Sequence, residues 1–303
     1  MNISQKLNKQ KNIAQTTTAK NNFSQELGSN MVNPNEIAES PDHGNEGITV
    51  VKIGGSTLGN HDTTLDDLVE MQGNGEKIVV VHGGGKTISE WMERQGVRPK
   101  FVEGLRVTDS ASLEIVVAVL TGLINKTLVA EINIRGGQAI GLSGADGGMV
   151  KASVNNPELG YVGAVNNIDA NAIMAALNSN YIPIIAPVGL DDSKSTGENG
   201  ALLNINADTV AGNISAALKA ERMIFLTDVE GIMDSSKRLL PRITRRQADS
   251  LIRSNVISGG MLPKIEACIS ALDGGAISQI IDGRKPGALI DAISGNKLGT
   301  RIG

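Results

Sequence analysis

The stretch Ile48-Thr49-Val50-Val51-Lys52-Ile53-Gly54-Gly55 decides the fold. Five of its first six residues are β-branched, which suits a pleated strand, and the paired glycines close it. Its near-continuous apolar character is that of a parallel strand covered on both faces. Similar short runs recur at Lys77–Val81, Gln138–Leu142, Ile182–Val188, Met223–Leu226 and Ser278–Ile281. Helical patterns separate them, at Thr87–Gln95, Ala111–Ile132, Thr209–Ala220 and Lys264–Leu272. In the last, Leu262, Ile265, Ile269 and Leu272 recur at spacings of 3, 4 and 3, one face of a helix. This alternation predicts an α/β fold, an αβα sandwich around a mainly parallel sheet. Ligands of such sheets bind beyond the carboxyl ends of the strands.

Several residues near those ends fit a purely structural role badly. Lys52 interrupts an otherwise buried strand, where an unpaired ammonium is costly. Either the strand lies at an edge with Lys52 in water, or the lysine is aimed at an anion above Gly54 and Gly55. Lys264 follows Pro263 at the start of a helix, where the dipole disfavours a cation by about 0.3–1 kcal/mol. A bound phosphate would reverse that sign. Asp208 follows Asn206, a good N-cap, so a capping role explains it, but it is also a counter-charge for two lysines. His82-Gly83-Gly84-Gly85 ends a strand, and its glycines let backbone N–H groups approach an oxyanion. The Gly-rich segment Gly141–Gly148 reads as a second such turn or as a hairpin.

Composition excludes other classes. The 303 residues carry 28 Lys+Arg against 32 Asp+Glu, and aromatics make up 2%, which argues against nucleic-acid binding. No apolar stretch reads as reaching the ~18–20 residues of a membrane span. One cysteine, Cys268, permits no internal disulfide and reads as an inert, partly buried thiol, so the expectation is a soluble cytoplasmic protein. Neither a P-loop nor a dinucleotide fingerprint is present. The three histidines lack ligand spacing, so no metal site is expected. Residues 1–47 are polar and without periodicity, which predicts a disordered tail.

Taken in order, these motifs resemble the N-acetylglutamate kinase family, of the amino acid kinase fold. The resemblance rests on Val51–Gly55, Val80–Gly85, Gly104-Leu105-Arg106-Val107-Thr108, Asn204–Asp208, Thr227–Ile232, Gly259–Lys264 and Asp282–Pro286. It implies phosphoryl transfer from ATP, with Mg²⁺ on the phosphates, to the side-chain carboxylate of N-acetyl-L-glutamate, a step of arginine synthesis. It implies Lys52 and Lys264 as catalytic cations and Asp208 as the residue holding them. Gly84, Gly85, Arg106 and Asn204 would bind the acid. Gly54, Gly55, Asp228, Val229, Glu230, Gly231, Ile232, Met233, Val256, Ile257 and Ser258 would serve the nucleotide. It further implies two lobes, 48–190 for the acid and for dimerisation and 191–303 for ATP, assembled as a homodimer. A same-fold kinase for another acid, such as carrier-linked aminoadipate, and a non-catalytic amino-acid sensor are the alternatives.

Overall fold

The computed structural model describes residues 47–54, 63–154, 156–193 and 202–303. The expected tail, apart from Gly47, lies outside these, as does Gly55. In chain order the elements begin β1 (Ile48–Ile53), α1 (Thr64–Gly73), β2 (Lys77–His82), α2 (Gly85–Arg94), β3 (Phe101–Val102) and β4 (Leu105–Arg106). The long helix α3 (Ser110–Ile134) follows, with a π-helical stretch at Ala118–Ile124. Then come β5 (Ala139–Ser143), β6 (Val150–Val154), β7 (Val162–Ile168), α4 (Asn171–Asn178), β8 (Ile182–Ala186), β9 (Val188–Asp191) and β10 (Leu202–Ile205). The remainder is α5 (Ala207–Ala217), β11 (Arg222–Thr227), β12 (Arg242–Ile243), α6 (Arg245–Arg253), α7 (Leu262–Asp273), β13 (Ile277–Asp282), α8 (Ala288–Ile293) and β14 (Thr300–Ile302).

Eight strands form one sheet in the order β12-β14-β13-β11-β1-β2-β8-β5. Every pairing from β13 to β5 is parallel, and β14 alone runs against its neighbour β13. The opening stretch β1 is therefore a central strand between β2 and β11, which removes the edge-strand reading of Lys52. The residues of β1 alternate between two cores. Val51 and Ile53 pack with Leu68 of α1, Leu128 and Ile132 of α3 and Leu289 of α8. Ile48 and Val50 pack with Ile173 of α4, Val210 and Ile214 of α5, Ala248 of α6 and Ile265 of α7. These are the three expected layers. Strand parity puts Lys52 on the second face, with α5 and α7.

The structure differs from the sequence reading in several places. The run Ile182–Val188 breaks at Pro187 into β8 and β9, because proline has no N–H for the ladder. Strand β9 joins β6, β7 and β10 in a small closed sheet that the sequence did not announce. The segment after β5 is a turn and not a hairpin, with Gly147 and Gly148 at φ 62° and 67°. Helix α3 is long and apolar enough to cross a membrane, contrary to the reading of its sequence. Its residues Val116, Leu120, Leu128 and Ile132 nevertheless pack in the protein core. Cys268 is fully buried on α7, and burial pushes its thiol pKa upward.

Candidate active site

Lys52 rises from β1 near its carboxyl end, and Lys264 lies in the first turn of α7. Between them Asp208 sits in the first turn of α5, whose N-cap Asn206 accepts hydrogen bonds from the Asp208 and Thr209 N–H groups. One Asp208 oxygen is 2.8 Å from the Lys52 ammonium and the other 3.0 Å from that of Lys264. The Lys264 ammonium also donates to the Gly260 carbonyl at 3.2 Å. Burial by itself would raise the Asp208 pKa, but the two ammonium groups outweigh it and hold the carboxyl below its usual range. Two cations share one anion, so the cluster carries an excess positive charge where β1 ends. Such a site attracts an anion.

Beside this trio a cleft of about 160 Å³ runs between Gly83–Gly85, the β3–β4 hairpin, Asn204 and Ala207. Arg106 projects into it from β4 and is 7% exposed. Its Nη2 donates to the Gly85 carbonyl at 2.8 Å and to Ser89 Oγ at 2.9 Å. The Phe101 ring lies 4.6 Å from the guanidinium carbon. Burial lowers the Arg106 pKa, and among the described residues no carboxylate pairs with it. A buried guanidinium among neutral neighbours is expensive, and an incoming carboxylate would relieve it. Asn204 on β10 is fixed by Thr108, whose hydroxyl accepts from the Asn204 amide at 3.0 Å and donates to the Arg106 carbonyl at 2.8 Å. One buried threonine, assigned no role from sequence although it ends the Gly-Leu-Arg-Val-Thr block, thus ties the Asn204 side chain to the backbone of Arg106.

The glycines supply the floor. The Gly54 N–H donates to the Leu226 carbonyl at 3.3 Å, and the Gly83 N–H to that of Ile53 at 3.0 Å, tying both loops to the sheet. Gly84 is the N-cap of α2. A Cβ there would run into the terminal methyls of Ile124 and Leu120, which would have to shift to admit it. Gly85 opens the helix, whose first N–H groups face outward.

The expected nucleotide residues divide into two kinds. Asp228, Val229 and Glu230 are exposed beyond the carboxyl end of β11. Gly231 and Ile232 are buried anchors, with the Ile232 N–H donating to Thr300 Oγ1 at 2.8 Å. Met233 pairs with Leu239 across the loop. Val256, Ile257 and Ser258 lead into the turn before α7 and hence toward Lys264, with Ile257 buried. His82, which the sequence offered only as part of a glycine motif, is buried between the Gly83 carbonyl and Asn125.

Comparison with known proteins shows the family. A profile of the amino acid kinase family matches residues 47–281. A protein of Dehalococcoides mccartyi called acetylglutamate kinase is 39% identical over 88% of this chain and 97% of its own. One of the same name from Thermoanaerobacter pseudethanolicus is 44% identical over 84% of this chain and 86% of its own. A crystal structure from Streptococcus mutans UA159 superimposes with a TM-score of 0.71 at 31% identity, over 84% of this chain and 98% of that one. With two lysines bridged by an aspartate where β1, α5 and α7 converge, the chain belongs to the amino acid kinase family.

Proposed function

We propose that this protein transfers the γ-phosphoryl group of ATP to the side-chain carboxylate of N-acetyl-L-glutamate, giving N-acetyl-L-glutamyl 5-phosphate and ADP. The observation that carries the reading is the Lys52–Asp208–Lys264 cluster beside a cleft holding a buried arginine that meets no carboxylate among the described residues. Arg106 and Asn204 would hold the backbone end of the acid, leaving its side-chain carboxylate to reach toward the two lysines. That carboxylate is already ionised near neutral pH, so the attack needs no general base. Its oxygen bonds to the γ-phosphorus while the bond to the bridging oxygen breaks and that electron pair leaves with ADP. Charge spreads over the equatorial oxygens, which Lys52, Lys264 and the glycine N–H groups would neutralise.

ATP would lie over the second half of the chain, 191–303, along Asp228–Met233 and Val256–Ser258, and the acid over 48–190 with Asn204. Among the described residues no three metal-ligating side chains gather, and Asp208 is occupied by both lysines. Mg²⁺ would therefore be carried on the nucleotide phosphates with its own waters. The exposed Ile134, Ile140 and Tyr181 offer apolar surface for a second copy of the chain, which supports a homodimer through this half. Coupled ADP release with N-acetylglutamate, glutamate and N-acetylaminoadipate side by side tests the reading. Turnover should favour the first. Equal or greater turnover with another acid would replace it, and none with any acid would leave only a binding role.

A further inference from the structure

Gly83 and Gly84 share one peptide unit, and His82 fixes the direction it faces. The imidazole is 1% exposed. Its Nδ1 lies 3.0 Å from the Gly83 carbonyl and its Nε2 3.3 Å from the Asn125 amide nitrogen. Asn125 decides which ring nitrogen carries the hydrogen. That same amide nitrogen donates to the carbonyls of Ile184 at 2.8 Å and Leu142 at 3.2 Å, while Oδ1 accepts from the Lys126 ammonium at 3.1 Å. Carbonyls only accept and an ammonium only donates, so the orientation of the amide is settled by its partners. The two amide hydrogens are shared among these carbonyls and Nε2, so Nε2 faces a donor nitrogen and keeps its lone pair. Nδ1 bears the hydrogen and donates it to Gly83. Burial, opposed by the Gly83 hydrogen bond and reinforced by the Lys52 charge, pushes the His82 pKa down to about 4, so the ring is neutral near pH 7.

A planar trans peptide points its C=O and the next N–H in opposite directions. With the Gly83 oxygen drawn toward His82, the Gly84 N–H faces away from it. Gly83 and Gly84 form the wall between two spaces: a cavity shared with His82, Ile53, Leu123 and Leu128, and the cleft of Arg106 and Asn204, which His82 does not line. No acceptor meets the Gly84 N–H among the described residues. We propose that His82, its tautomer set by Asn125, is a positioning residue that aims the Gly84 N–H at the oxyanion of the transferring phosphoryl group. The proposal rests on the phosphoryl-transfer reading above. It adds a residue that touches neither substrate but orients a donor that does, much as an oxyanion hole is held in place before charge develops.

Two measurements test it. With ¹⁵N-labelled histidine in the wild-type protein at pH 7, the ring signal lost in His82→Asn should show a pyrrole-type Nδ1 and a pyridine-type Nε2. The chain has only three histidines, which makes the assignment direct. An Nε2–H tautomer or an imidazolium would overturn the proposal, and this readout needs neither substrate nor turnover. Kinetically, His82→Phe should lower kcat about 10- to 100-fold, less than the roughly 10²–10³ of deleting such a donor outright. The KM for ATP should stay within about twofold, since the lost aim matters in the transition state. His82→Asn, which can return an amide donor near the place of Nδ1, should recover most of kcat. An unchanged kcat in His82→Phe, or equal losses in both variants with unaltered melting temperatures, would overturn the positioning role. If His82→Phe fails to fold, the tautomer decides alone. A wild-type protein inert toward every acid tested would instead defeat the functional reading and leave the tautomer result standing.

Discussion

Lys52 and Asp208 meet at 2.8 Å with both side chains less than a tenth exposed. A strand residue and a helix residue from opposite halves of the chain have been brought together, and the pair would be hard to justify on stability alone. Taking ions out of water costs several kcal/mol each, which mutual attraction only partly offsets. Adding Lys264 makes the balance worse for the empty protein and better for one holding phosphate.

Lys52→Ala and Lys264→Ala are each expected to lower kcat by about 10²–10³ while changing the KM for ATP far less, because the charge they meet grows in the transition state. Steady-state kinetics with both substrates varied checks this. Near-wild-type turnover in either variant would remove that lysine from the mechanism.

Asp208→Asn leaves two ammonium groups facing each other without a counter-charge. Breaking a buried pair costs about 3–5 kcal/mol, so the melting temperature of the empty variant should fall clearly. Bound ATP supplies the missing anion, and its stabilising effect should then be larger than in the wild type. Thermal melts with and without Mg·ATP test the sign, and an equal or smaller shift in the variant would count against the shared-anion account.

Arg106→Lys keeps the charge but loses the planar fork and the stacking on Phe101 at 4.6 Å. The KM for N-acetylglutamate should rise about tenfold, one charge-assisted hydrogen bond's worth, with the KM for ATP little altered. An effect confined to ATP would take Arg106 out of the acid site.

Acid should destabilise the protein through His82. Its folded pKa of about 4 lies below the ordinary 6.5, so between these values the unfolded chain binds a proton that the folded one refuses. Stability is therefore full above pH 6.5 and falls as pH drops toward 4, by about 3 kcal/mol for this group. Denaturant midpoints of wild type and His82→Gln across this range should converge as pH falls. Parallel curves would show that His82 does not stay neutral.

The sequence carries the sheet and the charged trio plainly, because β-branched runs ending in glycine mark parallel strands and a lysine inside one is chemically out of place. It also carries Arg106 and Asn204, though through resemblance and not through periodicity. The small sheet of β6, β7, β9 and β10 escapes notice. Of its strands only β6 alternates, Val150, Ala152 and Val154 against Lys151 and Ser153, while β7 carries the adjacent Asn166 and Asn167, and β9 and β10 are 4 residues each. Thr108 and Asn125 escape for another reason. Their partners, Asn204 and His82, are distant in sequence, and a buried polar contact leaves no local pattern. The apolar length of helix α3 is underread from the sequence, and several of its apolar residues pack in the core.

Transfer to a carboxylate makes an acyl phosphate, and hydroxylamine converts an acyl phosphate to a hydroxamate. Incubating the protein with ATP, Mg²⁺, N-acetylglutamate and hydroxylamine should give hydroxamate in step with ADP, and both products about 10²–10³-fold more slowly when Lys52 is replaced by alanine. ADP released without hydroxamate, or hydroxamate formed equally well by the Lys52→Ala variant, would contradict phosphoryl transfer to the acid at this site.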